Sequence, residues 1–117
     1  MKRASTAAQN FLFGAIQNGI SAIEGVEKMT SALSQYGVGE TPAVTMLLKR
    51  AKTLAKLLEG AAENPKAAAA DITTLSAIVR RIDTLLTESK GVYTLLLPQV
   101  IEAAQRRAQS KSADRAA

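Results

Sequence analysis

Residues 42–90 read PAVTMLLKRAKTLAKLLEGAAENPKAAAADITTLSAIVRRIDTLLTESK, and they contain two segments in which apolar side chains recur at steps of three and four. That spacing places the apolar residues of each segment on one face of an α-helix and fits no β-strand. Two amphipathic helices are therefore predicted, over residues 42–63 and 65–90. The first apolar face comprises Val44, Leu47, Ala51, Leu54 and Leu58, and the second comprises Ile72, Leu75, Val79, Ile82 and Leu86.

An Asn-Pro step separates the two predicted helices. Pro65 lacks an N–H and has a fixed φ, so it suits the first position of a helix and breaks the interior of one. Asn64 suits the N-cap, because its side chain can accept a hydrogen bond from an unpaired N–H of the first turn. If the chain reverses there, residues whose numbers add up to about 130 face each other in an antiparallel hairpin, as Leu58 and Ile72 would.

The apolar surface of this hairpin is wider than two helices can bury. Leu48, Ile78 and Leu85 lie beside the two main faces, so the apolar arc exceeds a two-helix contact. Further helices, or a second copy of the chain, must cover the excess.

The flanking segments supply two more helices. Apolar residues at helical spacing predict a first helix over 10–36, closed by Gly37 in the left-handed conformation, while Thr41 and Pro42 suit the start of the next helix. Lys90-Gly91 is a helix stop, and a fourth helix over 94–109 begins at Thr94 or at Pro98.

These elements define the expected architecture. The fold class is all-α, an up-and-down antiparallel bundle of four helices forming one domain over residues 1–109. The basic segment 110–117 is expected to be a disordered tail.

Small residues mark one face of the first helix. Ala15, Gly19 and Ala22 lie four and three positions apart, so a neighbouring helix can approach closely there. Another interpretation is a segment that becomes helical only after it docks on a partner chain or a membrane surface. We favour the first interpretation.

Composition excludes several kinds of chemistry. The 117 residues include no cysteine and no histidine, which removes disulfides, Cys/His zinc sites and histidine-activated nucleophiles. The ten acidic residues are scattered, and most lie on predicted polar faces. We therefore expect no enzymatic activity, no metal and no cofactor.

The net charge of +5 favours acidic partners without requiring one. The strongest basic feature is a ridge on the second helix, which could contact the phosphates of nucleic acid or of an anionic lipid surface. A solvated helix face is the favoured alternative, because the ridge has no aromatic platforms for bases. The candidate anion contacts are Lys49, Arg50, Lys52, Lys56, Arg106 and Arg107.

The order of a helix, an Asn-Pro turn, a second helix and an apolar C-terminal segment resembles type III secretion needle and inner-rod subunits. The likeness covers Asn64-Pro65-Lys66 and Ser89-Lys90-Gly91-Val92 only. The long, glycine-bearing first helix departs from that pattern. We assign the chain to no family on this basis.

The expected function follows from these features. No apolar run approaches the ~20 residues of a membrane span, and no secretory signal is evident, so we expect a soluble chain in the cytoplasm or within an assembly. The leading hypothesis is a non-enzymatic structural or protein-interaction module acting through helix–helix contacts. It would be a homo-oligomer or a small subunit of a larger assembly, such as a virion or a secretion apparatus. The alternatives are an anion-binding module for nucleic acid or acidic membranes, and a carrier with an apolar pocket between helices.

Overall fold

The computed structural model describes the backbone of residues 6–116 and the side chains of residues 6–110. The described residues form four helices, which confirms the all-α helical bundle. The helices differ greatly in length, since the third has 6 residues and the fourth has 45. Their bounds are α1 (Thr6–Gln35), α2 (Pro42–Glu63), α3 (Pro65–Ala70) and α4 (Ile72–Ala116).

A glycine ends α1 as predicted. Gly37 has φ of 76°, the left-handed conformation that favours glycine. The Val38 N–H donates to the Leu33 carbonyl at 3.0 Å, and the Gly37 N–H donates to the Ser34 carbonyl at 3.1 Å. These two bonds form a Schellman motif, and the packing of Val38 near Leu33 completes it.

The start of α2 matches the prediction in position but not in hydrogen bonding. Thr41 is extended, with φ of −77° and ψ of 149°, and Pro42 occupies the first turn. The Thr41 hydroxyl makes no capping bond. Its carbonyl instead accepts from the Thr45 N–H at 3.1 Å and from the Thr45 hydroxyl at 3.3 Å.

The chain breaks twice between α2 and α4, where one break was predicted. Asn64 caps α3 as expected, its side-chain oxygen accepting from the Ala67 N–H at 3.4 Å. The second break is at Asp71, so the prediction of one helix over 65–90 was wrong. The Asp71 carboxylate accepts from the Thr73 N–H at 3.0 Å and from the Thr74 hydroxyl at 2.9 Å. This local cap competes with continuation of the helix.

The α4 helix runs without interruption through both predicted breakers, so the expected stop at Lys90-Gly91 and the separate helix over 94–109 were also wrong. Glycine costs about 1 kcal/mol and proline about 3 kcal/mol in a helix interior. Val92 and Leu96 pack into the core between those positions, and their burial offsets the cost.

The segment over 110–117, expected to be disordered, is instead helical to Ala116. Five of its eight residues are alanine, lysine or arginine, which have high helix propensity. Ala117 lies outside the described residues.

Three long helices enclose the core. A Cβ built at Gly19 of α1 would lie within 3.4 Å of both Leu58 of α2 and Ile82 of α4. Further along, Leu33, Val44 and Leu96 form a second cluster from the same three helices. Residue numbers therefore rise together along α1 and α4 and fall along α2. The result is an up-down-up arrangement in which α1 and α4 are parallel and α2 is antiparallel to both.

The α2 face is buried as predicted, but the predicted α4 face is not. Each of the five α2 residues is at most 4% exposed. On α4, Ile82 is buried and Leu75 is half-buried, whereas Ile72, Val79 and Leu86 are 78%, 43% and 52% exposed. The predicted packing of Ile72, Val79 and Leu86 against α2 was therefore wrong, because Ile78 and Leu85 occupy the core instead.

Two physical reasons account for this difference. The predicted face assumes α2 is the only neighbour of α4, whereas α4 packs against both α1 and α2 and buries the side between them. The register also differs, because α3 takes up the first residues after Pro65. A single tight turn would place Arg50 opposite Arg80. Arg50 instead pairs with Glu88, about two helical turns further along α4.

Candidate protein-interaction groove

An open seam runs along α1 and α4, and we call it the α1/α4 groove. Two clefts lie in line within it. One, of about 340 Å³, lies between Phe11 and Asn18 of α1 and Val79 of α4. The other, of about 640 Å³, lies between Ser21 and Leu33 of α1 and the α4 residues from Leu86 to Val100. The groove exists because the apolar arc of α4 is wider than its contacts with α1 and α2.

The α4 wall of the groove is an exposed apolar column. Val79, Leu86 and Tyr93 are spaced seven residues apart, and seven residues make nearly two helical turns, so the three side chains share a face. They are 43%, 52% and 48% exposed. Ile72, seven residues earlier, continues the column and is 78% exposed. Several exposed aromatic and aliphatic side chains on one helix face are typical of a surface that contacts another protein.

The α1 wall combines small residues with larger side chains such as Phe11 and Met29. Gly14, Ser21, Gly25 and Ala32 line the two clefts. A Cβ added at Gly14 or Gly25 would meet no atom within 4 Å, so both glycines border open space. The floor consists of core residues such as Ala22 and Val26, which leaves the base of the groove apolar.

The charged residues that line the groove are basic. Lys28 of α1 and Lys90 of α4 line the larger cleft, and no acidic residue lines it. Both lysines are exposed. An occupant with apolar side chains flanked by carboxylates would therefore match the groove in polarity and in charge.

The predicted close-contact face lies on the opposite side of α1 from solvent. Ala15, Gly19 and Ala22 are all buried. Gly19 admits the close approach, because a Cβ there would lie 2.6 Å from Leu58 Cδ1 and 3.4 Å from Ile82 Cδ1. Gly19 packs in the core, whereas Ala15 and Ala22 also line the floor of the groove.

The candidate anion contacts do not form one surface. Lys49, Lys52 and Lys56 are exposed along one face of α2, whereas the three arginines have local partners. Arg50 Nε pairs with Glu88 at 2.7 Å, and Arg106 pairs with Glu102 at 3.5 Å. Arg107 lies 4.8 Å from the centre of the Tyr36 ring and donates to the Gln35 carbonyl.

Within the described residues, no group of three or more histidine, cysteine or acidic side chains could hold a metal ion. None of the described helices combines the length and the hydrophobicity of a transmembrane segment. The Thr74 hydroxyl, and after it the Thr73 N–H, lower the pKa of Asp71, but that carboxylate belongs to a helix cap.

Comparisons of the chain with protein-family models, with curated proteins and with solved structures find no match. Function must therefore be inferred from the surfaces of this chain itself. The groove is the largest feature that the sequence interpretation missed. The signal in the sequence is the seven-residue spacing of Ile72, Val79, Leu86 and Tyr93, the first three of which the helical pattern assigns to the core.

Proposed function

We propose that this protein is a non-enzymatic protein-interaction module, which binds a helix of another protein chain in the α1/α4 groove. It acts as a homo-oligomer or as a small subunit of a larger assembly such as a virion or a secretion apparatus. One observation carries the proposal, namely the exposed column of Val79, Leu86 and Tyr93 beside an open apolar seam.

The column alone does not supply enough free energy for tight binding. Burying the exposed half of three large apolar side chains contributes roughly 3–4 kcal/mol. Association costs about 4–15 kcal/mol in lost translational and rotational freedom. The occupant must therefore bring a comparable apolar face of its own, and a helix with apolar residues along one side meets that requirement.

The test measures molar mass by light scattering over a wide concentration range. We expect the wild-type chain to exceed the monomer mass of 12.3 kDa as concentration rises. Leu86→Gln, in the groove, should shift self-association to at least tenfold higher concentration. Leu95→Gln is the matched control, because Leu95 is also on α4, is 66% exposed and lies outside both clefts. A chain that stays monomeric throughout would contradict the homo-oligomer, and equal effects of the two substitutions would contradict the groove.

A second candidate function is phosphate binding by the lysine ridge of α2. It is favoured by the shared exposed face of Lys49, Lys52 and Lys56, none of which has an ion pair within the described part of the chain. Duplex DNA and vesicles containing phosphatidylserine would separate the two phosphate sources. Replacing the three lysines by alanine should weaken binding and reduce the salt slope by about two to three on DNA. Arg80→Ala with Arg81→Ala is the control, and unchanged binding by the lysine variant would remove this candidate.

A further inference from the structure

We infer that the occupant of the α1/α4 groove is the outer face of α1 from a second copy of this chain, so that copies associate head to tail. This inference rests on the proposed function and specifies its partner. It predicts two different contact surfaces on every copy. One is the α1/α4 groove, and the other is a surface of α1 around Phe13 and Ile20, which we call the ridge and which is distinct from the lysine ridge of α2.

The ridge is the side of α1 that lies next to α2. Phe13 and Ile20 are 51% and 46% exposed there, seven residues apart. Ile16 and Ile23 are half-buried beside them, and both line a cleft of about 430 Å³ between α1 and α2. The ridge therefore presents β-branched and aromatic side chains at the spacing found in helix–helix packing.

Acidic residues border the ridge. Glu24, Glu27 and Glu59 line the cleft beside it, and no basic residue does. The larger cleft of the groove is lined instead by Lys28 and Lys90 and by no acidic residue, and Lys28 shares a neighbouring cleft of α1 with Glu24 and Glu27. Docking of the ridge into the groove would bring carboxylates to ammonium groups around an apolar centre, which favours that pairing and its orientation.

The ridge is shorter than the groove and can lie within it, and the two surfaces share one periodicity. The groove accompanies α1 from Phe11 to Leu33, and the ridge extends along α1 from Phe13 to Glu27. The exposed apolar residues of both surfaces repeat every seven positions, so one helix can lie along the other with its side chains interleaved. The docked α1 would occupy the position of an additional bundle helix.

Charge argues against the symmetric alternative. In an isologous dimer the groove of one copy would face the groove of the other, so both facing surfaces would carry Lys28 and Lys90 and neither larger cleft would supply a carboxylate. Like charges at a desolvated contact are unfavourable. A head-to-tail contact avoids this repulsion, and it leaves one ridge and one groove free at the ends, so association continues to a ring or a filament.

Paired charge reversals test the inference. The groove variant carries Lys28→Glu and Lys90→Glu, and the ridge variant carries Glu27→Lys and Glu59→Lys. All four side chains are exposed, so the monomer fold should persist, and circular dichroism would verify this. Each variant alone should self-associate only at a concentration at least tenfold higher than the wild type does. An equimolar mixture should regain association, because each acidic surface then meets a basic one.

A third variant controls for bulk charge. Arg80→Glu with Arg81→Glu changes the net charge by the same amount as the groove variant, but both residues line the seam between α2 and α4. On its own this variant should self-associate like the wild type, because its groove and its ridge are unchanged. A loss of association as large as that of the groove variant would overturn the inference.

The outcomes distinguish this inference from the proposed function. If Leu86→Gln abolishes association while the charge variants and their mixture behave like the wild type, the groove stands and the head-to-tail partner is wrong. A wild-type species that stops at a dimer over the whole concentration range would also overturn the head-to-tail contact. A monomeric wild type contradicts the homo-oligomer itself.

Discussion

The apolar faces predicted on α2 and α4 have similar residue patterns, but they differ in burial. Each has five large or small apolar residues at steps of three and four, and both were predicted to pack in one seam. On α2 all five are buried, whereas on α4 Ile72, Val79 and Leu86 face outward. The difference follows from the width of the apolar arc. On α2 lysines border the arc, so one orientation buries it, while on α4 the arc is wide enough that two orientations are possible.

In α4 the buried core residues and the exposed apolar column lie on neighbouring sides of one helix. Contacts with α1 and α2 select the α4 side that carries Ile78 and Leu85, and they leave the neighbouring column uncovered. The uncovered column then becomes one wall of the groove. A wide apolar arc in a helix of a small protein is therefore evidence for a partner, even where no single residue suggests one.

The largest expected effect is a difference in stability between two truncations, one of a leucine on the α2 face and one of a leucine on the α4 face. Leu54→Ala should lower the free energy of unfolding by about 2–5 kcal/mol, because Leu54 is 1% exposed and its loss leaves a cavity. Leu86→Ala should cost less than about 1 kcal/mol, since half of that side chain already contacts solvent. Urea denaturation at a concentration where the chain is monomeric would measure both. Similar losses for the two leucines would contradict the burial assigned to α4.

A smaller effect is expected from two glycines of α1. Gly25→Ala should stabilise the monomer by up to about 1 kcal/mol, because the new Cβ meets open space and alanine favours the helix. Gly19→Ala should destabilise it by up to about 2 kcal/mol. Its Cβ would lie 2.6 Å from Leu58 Cδ1, and the overpacking outweighs the gain in helix propensity. Thermal unfolding of the two variants gives the sign of each change, and a stabilising Gly19→Ala would show that α2 packs less closely on α1.

The smallest effect concerns the cap that separates α3 from α4. Hydrogen bonds from Thr74 and Thr73 lower the pKa of Asp71 below its usual value near 3.8. A lowered pKa in the folded state means that the ionised carboxylate stabilises the fold above pH 3.8, and that this contribution is lost as pH falls through the folded value. The wild type should therefore have a higher free energy of unfolding than Asp71→Asn at pH 6, and this difference should shrink as the pH falls to about pH 2–3. Urea midpoints at the two pH values measure it, and a constant difference would show that the cap does not depend on charge.

Much of the fold could be predicted from local signals. The spacing of Leu47, Leu54 and Leu58, the Asn64-Pro65 step and the glycine at Gly37 each carry a short-range physical cause that the structure retains. The continuous α4 could not be predicted in this way. Gly91 and Pro98 are local breakers, and only contacts from α1 and α2 onto Val92 and Leu96 outweigh them.

The groove was less accessible from sequence than the fold. Helical spacing shows which α4 residues are apolar, but it does not show which of them a neighbour covers. The position of α1 against α4 depends on the break at Asp71 and on the length of α3, and neither had been predicted. The lysine ridge was visible from sequence alone, because exposed charges on one helix need no tertiary contact to lie together.

The length of α4 has a consequence for hydrodynamic measurements. The molecule extends 77 Å along its longest axis and 24 and 18 Å across it, with a radius of gyration of 19.4 Å. A compact chain of this length would have a radius of gyration near 13 Å. An elongated particle diffuses slowly for its mass, so a single chain should elute from a gel-filtration column ahead of spherical standards of the same mass. The elution volume of a monomer would then suggest a dimer. The number of chains in each particle therefore has to be measured by light scattering or by sedimentation equilibrium.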